Sequence, residues 1–337
     1  MQQRHKKTIS ILAGTLALTA AIAALACSLL TAKVTAADGQ ESRIIYIDRD
    51  DTPDSVRTKS ALGWRWNLYT KLLPYRPRTG RYRIESGTTC LALYRQLRSG
   101  MQEPAKLLVP TSRTMPKLAA ALSKSLMADS AEIASALTDS TFCADHGYTT
   151  ATIPALFIPN TYEVYWDTSV EKLIERMQRE NQRFWTAERK AKAEACGLSR
   201  EQVATLASIV DEETANNDEK PIIAGLYLNR LRRGMPLQAD PTVKYATGDF
   251  ALRRILNVHL KTESPYNTYR IKGLPPGPIR IASIAGLEAV LNHAEHNYLY
   301  MCAKEDFSGT HNFASTLSEH YRNARRYRKA LNARGIR

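Results

Sequence analysis

The chain has 337 residues, 47 Lys and Arg against 33 Asp and Glu, and a formal net charge of +14. A hydrophobic fraction of 44% excludes a disordered polymer, and the length suits two domains. The positive balance selects acidic surroundings (nucleic acid, anionic lipid or a polyanionic wall polymer) without choosing among them.

Residues 1–8 carry Arg4, Lys6 and Lys7, and residues 9–32 follow without a charge. At about 1.5 Å per residue this run crosses a hydrocarbon core of ~30 Å. The basic flank predicts a cytoplasmic N-terminus, a single-pass anchor over 9–32 and a remainder outside the cytoplasm. A cleaved signal peptide ending at VTAA (34–37) competes, but the apolar run exceeds a usual signal core. Export on either reading disfavours nucleic acid and favours a cell-envelope polymer as partner. ALAC27 stands out of register for a lipobox. Cys27, Cys90, Cys143, Cys196 and Cys302 show no metal-ligand spacing, so no metal is expected. The four outside the anchor read as small buried residues, with disulfides left open.

Residues 33–42 read as a polar tether. RIIYI (43–47) and GRYRIE (80–85) read as strands, the second with Tyr82 and Ile84 on one face. TTCLALYRQLRSG (88–100) reads as a helix with Leu91, Tyr94 and Leu97 on one side. KLLVP and the segment after it repeat the strand-then-helix order. Residues 43–150 are therefore expected to hold a small α+β module and its connection. Either a LysM-like sugar-binding module or a plain spacer fits this pattern. Residues 155–169 carry two loop signals, Pro159-Asn160 and Asp167-Thr168, and 170–195 reads as one long amphipathic helix ended by Gly197.

SREQ (199–202) is a capping box that starts a helix. Counting about 100° per residue from Val203, the apolar stripe centres near 320° and Glu213 falls at about 280°, on the stripe. Asp211 and Glu212 fall off it, which predicts two solvated acids and one facing protein or a cleft. Desolvation there raises a carboxyl pKa, as does the negative end of a helix dipole, and both suit a general acid. A salt-bridged helix end is the bland alternative. A second helix over 222–234 follows. MPLQADPTVKYATGD (235–249) then reads as an extended polar loop offering Gln238, Asp240, Thr242 and Tyr245. SPYNTYRIKGLPPGPI (264–279) adds Asn267 and Tyr269 ahead of a rigid Gly/Pro loop. The tail YRNARRYRKALNARGIR (321–337), with seven cations and no acid, reads as a closing helix with a solvated face, the alternative being a dock for anionic wall polymer or lipid headgroups.

The segment ASIVDEETANNDEKPIIAGLYLNRLRRGMPLQADPTVKYATG resembles the signature of the YceG/MltG family of endolytic murein transglycosylases. SPYNTYRIKGLPPGPI and YLYMCAKEDFSGTHNFASTLSEH resemble its other blocks. The likeness covers roughly 155–330, within a catalytic domain expected over 151–337. One departure is Asp211, where the family pattern has Glu.

The resemblance implies an α+β fold: one membrane helix, a LysM-like module and a larger catalytic domain with a cleft. It implies an inner-membrane protein with a periplasmic catalytic domain, acting on peptidoglycan strands, with peptidoglycan synthases as partners and no cofactor. It assigns Glu213 as catalytic acid in non-hydrolytic cleavage of the MurNAc–GlcNAc bond. Gln238, Asp240, Tyr245, Asn267, Tyr269, His311 and Asn312 are the candidate substrate residues. Two alternatives stand beside it: a hydrolytic glycosidase with Glu213 as acid and Asp240 as base, and a non-catalytic wall-anchored scaffold.

Overall fold

The computed structural model describes residues 2–33, 41–60, 64–73, 75–252 and 254–335. An apolar helix, α1 (Gln2–Thr31), contains a span over Lys7–Ser28 long and apolar enough to cross a membrane. The chain divides into two compact units. The first comprises 1–106, 125–127 and 163–168, and the second comprises 107–124, 128–162 and 169–337. The expected junction at 150 does not coincide with this division, because residues 107–124 and 128–150 pack with the larger unit.

In the first unit, β1 (Ser42–Ile47) pairs antiparallel with β2 (Gly80–Glu85), from Ser42 opposite Glu85 to Ile47 opposite Gly80. Between them run α2 (Pro53–Ser60) and α3 (Trp64–Leu72), and α4 (Cys90–Ser99) follows. Period-two alternation turns Ile45, Ile47, Tyr82 and Ile84 inward. They meet Leu93, Tyr94 and Leu97 of α4 and Trp66 and Tyr69 of α3 in one core. Leu91 lies half-buried at its edge, while Cys90 and Leu93 point in.

The strand β3 (Ala105–Val109) pairs with β4 (Asn160–Val164), and α5 (Met115–Leu122), α6 (Ser130–Thr138) and α7 (Ser140–Asp145) lie between them in sequence. Pro159-Asn160, read as a loop signal, is therefore the entrance to a strand. The expected long helix is two, α8 (Val170–Phe184) and α9 (Ala187–Ala195). Thr186 accepts from the Arg189 amide and caps the second, and Trp185 is buried at the break.

The centre of the second unit is α10 (Arg200–Glu213), started by the capping box of Ser199 and Gln202. Residues Val203–Val210 are buried on all sides, so this is a core helix rather than a surface one. It packs with α11 (Lys220–Arg232) and α14 (Ile284–Leu291) through Leu206, Ile209, Val210, Ile223, Leu226, Leu287 and Val290. A Cβ on Gly225 would collide with the Ala294 carbonyl and His296, so glycine lets the 292–299 segment lie against α11.

The stretch read as an extended loop contains α12 (Asp240–Thr247), and a single turn, α13 (Asn257–Leu260), follows. Pro241 marks the first turn of α12, where a missing N–H costs nothing, and Gly248 ends the helix. The strands β5 (Tyr300–Ala303) and β6 (His311–Ala314) form an antiparallel hairpin, and α15 (Leu317–Ala333) closes the chain. Among the described residues, helices mixed with three two-stranded sheets make an α+β protein. Cys143, Cys196 and Cys302 are free thiols, and Cys90 and Cys143 are buried.

Candidate active site

The α10 helix delivers three successive carboxylates to its C-terminus, and the fold treats them differently. Asp211 was expected in solvent, but its side chain is only 3% exposed. It pairs with Lys220 Nζ at 2.7 Å and accepts from the Ser283 amide at 2.6 Å and the Ser283 hydroxyl at 2.7 Å. Lys220 opens α11 and Ser283 caps α14, so Asp211 ties the end of one helix to the starts of two others. A Cβ on Gly286 would stand 2.7 Å from the Asp211 oxygens, so glycine there makes room for the carboxylate. Glu212 was also expected on a wet face. It is instead gripped by Arg113, in a fork of 2.7 and 2.6 Å, and by Arg280 at 2.9 Å. The helical phase missed both because a helix end enclosed by loops has no solvent side.

Glu213 has no cationic partner among the described residues. Its Oε1 accepts from the Tyr227 hydroxyl at 2.6 Å, and no donor among the described residues reaches its Oε2. Burial pushes its pKa up to about 7. The Tyr227 hydrogen bond opposes the shift, while the charges of Asp240 and Glu212 add to it. The carboxyl opens on two cavities. One, of about 360 Å³, is lined by Tyr227, Arg230, Gln238, Asp240, Tyr269 and the β5–β6 hairpin, among others. The other, of about 880 Å³, runs from Glu212, Glu213 and Asp240 toward Lys244, Arg254 and α15.

Arg230, 5% exposed, is spent on structure. Its three nitrogens donate to Pro236 O, Leu299 O and, at 2.6 Å, Gln238 Oε1. A guanidinium only donates, so it fixes the Gln238 oxygen toward itself and leaves the Gln238 amide nitrogen as a free donor on the cavity lining. Gln238 holds a positive φ of 52°, a strained backbone for this residue type, with its N–H donating to Thr268 O at 3.1 Å. Asp240 accepts from the Tyr269 hydroxyl at 2.6 Å. Burial and this bond raise the Tyr269 pKa well beyond its ordinary range, so the phenol stays a donor. No group of His, Cys, Asp and Glu among the described residues could hold a metal ion.

The model of the YceG-like family matches residues 53–326. The chain belongs to the YceG-like family. An endolytic murein transglycosylase of Bacillus subtilis (strain 168) is 37% identical over 166 residues, 49% of this chain and 45% of that protein. One from Streptococcus pneumoniae (strain ATCC BAA-255 / R6) is 31% identical over 172 residues, 49% of this chain and 30% of that protein. The chain thus spans less than half the length of these relatives. The crystal structure of a putative yceG-like protein from Listeria monocytogenes superposes with a TM-score of 0.54 and 25% identity, covering 84% of this chain and 99% of that one.

Within this YceG-like site the residues singled out from sequence separate into two groups. Glu213, Gln238, Asp240, Tyr269 and His311 line one cavity. His311 is held there by Glu219, which accepts from its backbone amide at 2.7 Å and contacts its ring nitrogen at 3.1 Å. Tyr245, Asn267 and Asn312 lie elsewhere. Tyr245 packs on Tyr266 with ring centroids 4.7 Å apart. Asn267 is fully buried and donates to Leu260 O and Thr262 O, which braces the loop before Tyr269. Asn312 alternates with His311 along β6 and donates to Glu305. Tyr227 and Arg230 were not anticipated. The one signal for them was a phenol and a guanidinium three residues apart, Tyr227 and Arg230, in a helix that is otherwise apolar from Ile222 to Leu228.

Proposed function

We propose that the protein is an endolytic murein transglycosylase, cleaving the MurNAc–GlcNAc β-1,4 bond within peptidoglycan strands and leaving 1,6-anhydro ends. One observation carries the reading: a carboxyl with no cationic partner among the described residues, Glu213, shifted to about 7 and placed where two cavities meet. A single group that must first give a proton and then take one works best with its pKa near the working pH. Glu213 protonates the glycosidic oxygen as C1–O breaks. As carboxylate it then removes the proton of the MurNAc C6 hydroxyl, whose oxygen closes on C1. The internal nucleophile replaces both water and the second carboxylate that ordinary glycosidases require. Tyr227 holds Glu213 through Oε1, so Oε2 is the oxygen that works. Gln238, its amide oriented by Arg230, and the Tyr269–Asp240 pair place the sugars. A strand lying across both cavities places the bond in mid-chain, which is endolytic action.

The βααβ order of β1, α2, α3 and β2 supports a LysM-like reading of the first unit. The apolar α1, with its basic flank, supports a single-pass inner-membrane anchor with both units in the periplasm, beside peptidoglycan synthases.

Asp240 on the same lining keeps a hydrolytic glycosidase in play. Digestion of purified murein followed by mass analysis of the ends decides between them. The account expects muropeptides lighter by one water than reducing ends, and reducing ends would overturn it.

A further inference from the structure

Resting on this reading, we infer that the cavity between Glu213 and α15 is an anion subsite that takes the peptide-stem carboxylates of the bound glycan strand.

The observation is the distribution of charge around that cavity. Lys244 on α12, Arg254 in the following loop and Arg328 on α15 converge on its wall. None of the three has a carboxylate partner among the described residues, whereas their neighbours Arg113, Arg280 and Arg326 are each spent on a glutamate. Of the acids on the same wall, Glu212 is held by two arginines, and Glu213, its pKa pushed up to about 7, is partly protonated at neutrality. Asp240 accepts from a phenol, a neutral donor that cancels no charge. Three cations face that one acid, so the cavity keeps a positive excess beside Glu213.

The α15 helix is fixed in place over this wall. Arg326 pairs with Glu305 at 2.9 Å, Arg334 lies over the Phe307 ring, and Phe307 packs on Tyr327, another lining residue. Apolar and polar contacts are supplied by Ile255, Leu331 and Asn332.

The sugar backbone of murein is nearly neutral, and its anionic groups are the carboxylates of the stems that branch from the MurNAc lactyl ether. A strand with its scissile bond at Glu213 carries a stem-bearing MurNAc beside that residue. Three cations adjoining Glu213 in a concave wall match a substituent on the substrate. An anionic lipid surface would need no cavity and no continuity with the catalytic carboxyl. The solvated face expected for the basic tail is, on its Tyr327–Asn332 segment, the wall of this site.

The test uses the full-length protein in zwitterionic detergent, assayed on strands with free stem carboxylates and on the same strands with those carboxylates converted to carboxamides by carbodiimide and ammonia. The wild type should show a lower KM on the strands with free carboxylates. Arg254→Gln and Arg328→Gln, both at exposed positions, should each shrink that preference about threefold and together about tenfold, acting on KM rather than kcat. Arg254→Lys should restore it. Raising the salt should erase the preference in the wild type and change little in the double variant, which has already lost it. Equal loss on both substrates would overturn the inference, as would a preference the variants leave intact. So would an effect that appears only in anionic bilayers, which would assign the cations to lipid. Failure of the wild type to yield anhydro ends on either substrate would instead sink the transglycosylase reading.

Discussion

Asp211 and Glu212 on one side of the α10 terminus, and Glu213 with Asp240 on the other, are the same functional group in opposite surroundings. The first pair is buried against cations: Lys220 for Asp211, Arg113 and Arg280 for Glu212. The second pair is answered by phenols: Tyr227 for Glu213 and Tyr269 for Asp240. A cation stabilises the charged form of a carboxyl, while desolvation with only a neutral donor favours the protonated one. One helix end thereby carries two acids paired with cations and one, Glu213, whose pKa burial pushes up. Asp211 anchors α10 to the starts of α11 and α14, Glu212 ties it to Arg113 and Arg280, and together they fix the helix end that carries Glu213.

The most severe way to break the contrast is Glu213→Gln. It should cost about a thousandfold in kcat, since no second carboxyl takes the proton role. The same substitution should stabilise the protein at high pH. A carboxyl raised in the folded state binds a proton that the unfolded chain has already lost, so stability falls as pH rises from about 4.5 to about 7. Glu213→Gln should remove that fall, a gain of ~2–3 kcal/mol at pH 8 and almost none at pH 4, read by thermal unfolding at both pH values.

On the anionic side, Asp211→Asn should destabilise by about 3–5 kcal/mol, because Lys220 would be left buried without its partner. Its activity loss should track the fraction unfolded. Gly286→Ala tests the same contact from the other side and should cost about 2 kcal/mol by pushing on the Asp211 carboxylate. The smallest effect should come from Tyr227→Phe. Losing the donor that holds Glu213 down should move the alkaline limb of the pH–rate profile upward, with a fewfold change in kcat at neutral pH.

Much of this could be read before the structure. The β1 and β2 alternation and the Ser199 capping box are local signals, and local signals survive folding; the helical phase put Glu213 on the protein side but wrongly put Asp211 and Glu212 in solvent. What escaped was tertiary. The burial of Asp211 depends on Ser283 and Lys220, a partner 72 residues downstream and one supplied by another helix. Reading 235–249 as an extended loop missed α12, whose first turn holds Pro241. Asn267 has the right chemistry for a sugar hydroxyl, but its amide is consumed by loop carbonyls. Tyr227 was invisible because a phenol in an apolar helix looks like core until the carboxyl it touches is known.

The central claim is that Glu213 keeps its proton to near neutrality, and a direct measurement is its titration by carboxyl 13C NMR. The full-length protein would be labelled at glutamate, and the resonance assigned by its loss in Glu213→Gln. A midpoint at about 7 is the result the account predicts. A midpoint near 4.5, the ordinary value for a glutamate in water, would contradict it.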